Sequence, residues 1–591
     1  MGAKLLSLLK NKYFLNIMSK KVMILGIHNC HDAGAALVES GKIVGAVNEE
    51  RFTRRKNDVG FPKNSIKWLT SLGGEIEEIA VPWIGGSALI SRVFPSYEEK
   101  RRELWRKKGK KPSRINMHLR NLAFKIIQDQ KPKEVWEFFG KNIGSYFIKK
   151  QLKGFGLENR KISFVEHHLA HAASAYYTSG FKEAIVITLD GAGDGLSGSV
   201  WIGDNGELKR VRSFKASASL GILYGAVTLA LDMKYSEDEG KTMSLAAYSY
   251  PCEIEELNKI VRYDEKSKEL VSDFGIKYEL LLAEWIKDNL LWKYNREELA
   301  YAVQRHIEEE VEKIVKDVVE EYKIPYIAAA GGLFSNVKMN MRINNLDYVK
   351  ELYVFPHMGD GGLALGAALL LDYERNGKIM ERPEQIYFGP EFSDSQIEET
   401  LKNNDQIKFE ETDVINAAVE KILDGEIVLW FQGKLEYGPR ALGDRSILAL
   451  PNRAESRDML NLLIKKRPYF QPFAATILEE DAKKILEDYK TPNRFMTSAN
   501  MVKKEHWQDM VAASHIDHTT RPQILGKKEN KLFREVIKKL KKQNGIGAVV
   551  NTSLNKHGFP IVRSPEDAIW TLLNTGAKYL AIGDFFVEKL K

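Results

Sequence analysis

The chain has 591 residues, with 88 lysines and arginines against 80 aspartates and glutamates and a formal net charge of +8. Hydrophobic residues make up 44% and charged residues 28%, a globular balance with room for more than one core, and no apolar run approaches the roughly 20 residues of a membrane span. Only two cysteines occur, Cys30 and Cys252, which excludes a disulfide framework and a four-cysteine zinc site and fits a reducing, cytoplasmic setting.

Residues 1–20 set leucines, Phe14 and Ile17 among lysines. Lys10 and Lys12 break any signal core, so the stretch reads as an N-terminal extension, either an amphipathic helix for peripheral membrane or partner contact or a dispensable extension. VMILGI (22–27) reads as a buried strand, followed by a polar loop with His31-Asp32 and a hairpin turning at Ser40-Gly41. A basic helical insertion occupies about 85–160, and in it Lys100–Lys111 carries eight basic residues and one Glu. Such a run is a solvated face first and an anionic-partner surface second. Strand ISFVEH, a histidine-bearing helix, strand AIVITLD and a further strand pair repeat the opening, so a duplicated fold with a cleft between its halves is expected. Residues 280–322 read as amphipathic helix, and two strand–glycine-turn–helix units follow at IPYIAAAGGLFSN and YVFPHMGDGGLALG. Glycine and proline then punctuate 376–390 as a linker, ahead of a second α/β unit about 200 residues long.

The chemistry-bearing residues lie at the ends of these elements. His167 and His171 are four apart, so a helix places both on one face, and Asp190 closes the next strand. Two imidazoles and a carboxylate suit iron, zinc or manganese, although an isolated pair of this spacing is more often a core or capping histidine. Asp360 sits in a glycine turn before an apolar helix, where an aspartate more often holds a metal or a ribose than a phosphate. The Gly331-Gly332 turn, with Asn336 behind it and Gly361 opposite, reads as nucleotide-site walls. His31 beside Asp32 is a proton-transfer pair. In the second unit Lys434, Arg440, Arg445, Lys465, Arg467, Arg521 and Arg563 stand among glycines, with Asn551 after a strand, a composition suited to clamping phosphate or carboxylate.

Together these segments resemble the O-carbamoyltransferases of the nodulation-protein-U and cephamycin-carbamoyltransferase family, which includes the tobramycin carbamoyltransferase. The carriers are HDAGAALVESGKIVGAVNEERFTRRK, VEHHLAHAASAYYTSGF, TLDGAGDG, EGKTMSLAAY, GGLFSNVKMN, FPHMGDGGLALGAA, LEYGPRALGDRSILA and NTSLNKHGFPIV, in that order from about residue 22 onward. The resemblance implies an α/β chain with a duplicated actin-like (ASKHA) ATPase-type domain over 21–385, followed by a YrdC-like α/β domain over 390–591. It implies ATP-dependent O-carbamoyl transfer. Carbamoyl phosphate and ATP give carbamoyl-adenylate and pyrophosphate in the second domain, and a hydroxyl of a small-molecule or sugar acceptor takes the carbamoyl group in the first.

By motif, His167, His171, Asp190 and Asp360 match metal ligands, with iron foremost and other divalent metals as alternatives. His31 matches a transfer-site histidine, and Mg2+ accompanies ATP. Nucleic acid is not an expected partner, and a homo-oligomer is compatible with the family. Two departures stand out. Ser244 replaces a usual glycine, and Asn29 is uncharged at a position where an acidic group would suit an amine-bearing acceptor. The alternatives weighed are a tRNA threonylcarbamoyl-type enzyme, a sugar kinase and a non-enzymatic actin-like ATP-binding module.

Overall fold

The apolar run Met23–His28 forms the strand β1, and hairpin partners β2 (Gly34–Glu39) and β3 (Lys42–Asn48) turn at Ser40-Gly41 as the sequence predicts. Both turn residues are left-handed, at φ 50° and 77°, and their amides donate to the Asp372 carboxylate at 3.0 and 2.5 Å. These features come from a computed structural model that describes residues 23–84, 92, 122, 133–275 and 279–590. The 1–20 extension, the basic Lys100–Lys111 run and much of the 85–160 insertion lie outside the described residues.

β4 (Ile76–Pro82) and β5 (Lys161–Val165) complete a sheet in the order β3-β2-β1-β4-β5. A second sheet joins β6 (Glu183–Gly193), β7 (Leu196–Asp204), β8 (Glu207–Lys215), β9 (Tyr326–Ala330) and β10 (Glu351–Val354), in the order β8-β7-β6-β9-β10. In each sheet the first three strands pair antiparallel and the last two add in parallel. The expected duplication is therefore present strand for strand. The histidine helix, His167–Ser179, and the apolar helix Leu363–Asn376 pack together within one core shared with residues of both sheets.

A third sheet of eight strands runs Ile407–Glu411, Phe585–Lys589, Tyr579–Ile582, Val428–Phe431, Arg445–Ala449, Ala548–Ser553, Ala474–Leu478, Gln523–Leu525. Its mixed pairing has cores on both faces. Tight contacts join it to the first part. Arg51 Nη2 donates to Gly438 O at 2.7 Å, Tyr437 Oη to Gly361 O at 2.8 Å, and Asn340 Nδ2 to Thr497 O at 2.7 Å.

Two local expectations are corrected. Residues 280–322 are two helices, Glu279–Asn289 and Arg296–Tyr322, because Asn295 forms a capping box with Glu298 and starts a new helix. The strand does not end at Asp190 but runs to Gly193; its register breaks after Leu189, leaving Asp190, Gly191 and Ala192 out of the ladder. Among the described residues no helix is long and apolar enough to cross a membrane.

Candidate functional site: a histidine–carboxylate cluster and an arginine cluster

The histidine helix starts where acidic groups satisfy its free amides. Glu166 is the N-cap, accepting from the amides of His168 and Leu169 at 3.2 and 3.1 Å, and Asp194 accepts from the amide of His167 at 2.9 Å. This fixes the first turn, so His167 and His171 face one way. His168 faces the core, bonded to Thr188 and the Leu196 carbonyl, with burial holding it well below the ordinary histidine range. The His167 ring lies against Gly193, where a Cβ would fall 2.3 Å from the imidazole.

Four donors then converge from three elements. Both Nε2 atoms, of His167 and His171, lie 3.2 Å from Asp190 Oδ2, and His171 Nε2 is 3.3 Å from Asp360 Oδ1. One ligand atom from each of His167, His171, Asp190 and Asp360 falls within 4.8 Å of the others. Burial opposes ionisation of Asp190, but its two imidazole partners outweigh that and hold it well below the carboxylate range. Burial likewise works against protonated His171, yet the two carboxylates raise it to about 9. Two imidazole nitrogens with two carboxylate oxygens are the donor set of a borderline divalent cation, so the residues present fit a metal.

His31 joins the cluster from the β1–β2 loop. Its Nε2 lies 3.2 Å from Asp360 Oδ2, and its Nδ1 lies 3.2 Å from Asp32 Oδ2. The cluster borders a cavity of about 380 Å³, walled by His31, Trp83, Asp190, Asn336, Asp360 and Gly361, with Glu239 and Tyr224 also lining it. Gly332 lines it as well and donates its amide to Asp190 Oδ1 at 3.2 Å. Gly331 is left-handed at φ 103°, and a Cβ there would sit 2.2 Å from Leu189 O, so this turn admits glycine alone. Desolvation raises Glu239 to about 7 and lowers His357, bonded to Asn48 at 2.8 Å, to about 3.

The second site is built almost wholly of cations. Just before GPRALGDRS, the buried Glu436 carboxylate organises the loop. Glu436 Oε1 accepts from the amides of Leu442, Asp444 and Arg445 at 2.9, 2.9 and 3.0 Å. Arg440 and Arg521 make no hydrogen bond or ion pair among the described residues, and their Nε atoms are buried. Burial, then the nearby Arg440 and Arg467, hold Arg521 well below the arginine range. Lys465 is buried and donates to Ser553 O and Asn555 Oδ1 at 2.5 and 2.7 Å. Burial, then Arg467 and Lys56 of the first part, push it well down. Burial, then Lys241 and Lys56, lower His557 to about 4, with Arg467 a further contributor. Basic groups thus extend from the arginines toward the first part. Among the described residues Arg440, Arg467, Arg521 and Lys465 have no carboxylate in ion-pair range, and a convergence of such cations suits an anion.

Not every expected residue comes to this cluster. Lys434 is half exposed and lies 3.6 Å from Glu391, just after Gly433, which is left-handed at φ 44°. Arg445 is fully buried, stacked 3.7 Å from the Phe431 ring centre and bonded to the Gln432 and Gly433 carbonyls, a supporting role. Asn551 is also fully buried and holds Ala441 O at 3.2 Å, directly behind Arg440. Arg563 lies at the junction, over the rings of Phe52 and Phe392. Ser244 is in a helix, Glu239–Leu245, where its hydroxyl bonds back to Gly240 O at 2.8 Å. Sequence reasoning missed Glu166, Asp194, Trp83, Arg51, Glu239 and Glu436. Only Glu436, an acid inside the glycine-rich arginine segment, carried a local signal.

The family model Carbamoyltransferase N-terminus matches residues 23–369, and Carbamoyltransferase C-terminus matches 419–589. An uncharacterised protein of Methanocaldococcus jannaschii is 34% identical across 96% of this chain and all of its own length. Nodulation protein NolNO of Sinorhizobium fredii is 31% identical, over 95% of this chain and 79% of that protein. The 3'-hydroxymethylcephem-O-carbamoyltransferase of Amycolatopsis lactamdurans is 28% identical over 44% of this chain and 48% of its own. The chain belongs to the carbamoyltransferase family and is a transferase enzyme.

Proposed function

We propose that the protein is an ATP-dependent O-carbamoyltransferase with a divided site. Residues 21–385 act as an actin-like transfer domain and residues 390–591 as a YrdC-like activating domain. The observation that carries this reading is the contrast between the two clusters, one of imidazoles and carboxylates and one of cations.

In the second, Arg440, Arg467, Arg521 and Lys465 hold the phosphates of carbamoyl phosphate and of Mg2+-ATP. Water splits carbamoyl phosphate into carbamate and inorganic phosphate. A carbamate oxygen then displaces pyrophosphate from the α-phosphorus of ATP, giving carbamoyl-adenylate. The basic groups Lys56, Lys241 and His557 favour keeping this anion inside the protein as it moves to the first cavity.

There His31 takes the proton of an acceptor hydroxyl. The hydroxyl oxygen bonds to the carbamoyl carbon, the bond to the adenylate oxygen breaks, and AMP leaves with the electron pair. His167, His171, Asp190 and Asp360 would hold a divalent metal, with iron as the first candidate. When bound, it supplies positive charge beside the leaving phosphate. Purified protein with ATP, Mg2+ and carbamoyl phosphate is expected to release pyrophosphate, and AMP once an acceptor is added. ADP as the product, or no pyrophosphate across a range of metals, would contradict the reading.

A further inference from the structure

Trp83, the residue after β4, holds an unusual place beside the histidine–carboxylate cluster. Its backbone is left-handed at φ 75°, which is unfavourable for a large side chain. The surroundings hold it there. Its amide donates to Val165 O at 2.8 Å, and Arg92 Nη2 donates to the carbonyls of Pro82 and Trp83 at 3.1 and 2.7 Å. Arg92 Nε reaches Asn29 Oδ1 at 3.2 Å, so the same guanidinium ties in the loop that carries His31. Arg92 is 3% exposed and has no carboxylate in ion-pair range among the described residues, which makes it costly to bury. Its cost is balanced by fixing one turn and one loop.

That turn puts the indole among three imidazoles. The ring stacks on His28 at 6.1 Å and 2°, and meets His31 edge-on at 5.5 Å and His167 at 4.8 Å. Trp83 is 4% exposed yet walls the cavity next to His31. The face it offers is hydrocarbon, and its N–H is buried with no hydrogen-bond partner among the described residues.

We infer that Trp83 is a positioning residue that keeps water from the carbamoyl carbon at the transfer site, and that Arg92 holds it in that role. The inference rests on the carbamoyl-adenylate reading above. The side reaction it suppresses is hydrolysis. A water oxygen bonds to the carbamoyl carbon, the bond to the adenylate oxygen breaks, AMP leaves with the electron pair, and the proton passes to His31. The released carbamate decomposes to ammonia and carbon dioxide. Along its face the indole gives a water beside His31 no hydrogen-bond anchor, whereas an acceptor can bring its own contacts.

The test uses the full-length, metal-loaded protein with ATP and carbamoyl phosphate and no added acceptor, so that ammonia release reads transfer to water. Pyrophosphate release reports activation at the other site, and ammonia release after one turnover reports hydrolysis. Trp83→Leu and Arg92→Met are expected to release ammonia about ten-fold faster than wild type with first-turnover pyrophosphate release unchanged, while Trp83→Phe and Arg92→Lys stay within about two-fold. Structural damage alone would slow this reaction rather than speed it. Either Leu or Met variant with wild-type pyrophosphate release and unchanged or slower ammonia release would overturn the inference. Wild-type protein that makes no pyrophosphate would instead overturn the underlying reading.

Discussion

The histidine–carboxylate cluster and the arginine cluster satisfy their charges in opposite ways. In the first, every imidazole that faces the cluster has a carboxylate partner, and His31, His167 and His171 share Asp190 and Asp360 between them. In the second, Arg440 and Arg521 have no hydrogen-bond or ion-pair partner among the described residues, and Arg467 lies close by. The comparison teaches that one cluster offers a donor set that suits a cation, while the other gathers positive charge that suits an anion. Electrostatics of this kind is stored in folding and released on binding, which is why such clusters mark function rather than stability.

The sharpest way to break the contrast is to remove a buried cation that has no hydrogen-bond or ion-pair partner among the described residues. Arg521→Ala is expected to lower pyrophosphate formation about 10³-fold or more with metal content unchanged, measured by phosphate-release kinetics and elemental analysis. An equal loss in metal would merge the two sites into one. Next in size is the loop anchor. Glu436→Ala leaves three amides without their acceptor and is expected to cost about 3 kcal/mol of stability by chemical denaturation. If stability is unchanged while pyrophosphate formation falls, Glu436 acts on the ligand and not on the loop.

A smaller effect concerns Glu239 in the first cavity, raised to about 7 by desolvation. Its folded value lies above its unfolded one, so the stability tied to its proton is fully present below about pH 4.5 and is lost as pH rises through about 7. Glu239→Gln is therefore expected to flatten the thermal stability profile between those values, and a parallel profile would remove Glu239 from the cavity's electrostatics. Smallest of all, Lys434→Ala is expected to change pyrophosphate formation by less than about two-fold, since the side chain sits at the surface by Glu391. A large loss there would extend the arginine cluster to the exterior.

Much of this was readable in the sequence where the cause is local. Apolar runs, the Ser40-Gly41 turn and the four-residue histidine spacing each act through neighbours in the chain, and each element formed as expected. The meeting of Asp360 with His171, 189 residues apart, required a family resemblance as well. What stayed hidden depends on long-range packing. Arg51 reaches Gly438 across 387 residues, and Trp83 gains its role from a left-handed turn that Arg92 stabilises. The surface position of Lys434 beside Glu391 is likewise set by packing that composition cannot reveal.

The division of labour is tested most directly with purified His167→Ala protein, assayed for bound metal and for carbamoyl-phosphate-dependent exchange of pyrophosphate into ATP. The account predicts that metal binding is lost while exchange stays within about two-fold of wild type, because activation takes place at the arginine cluster. Loss of exchange together with the metal, in a protein that remains folded, would contradict it.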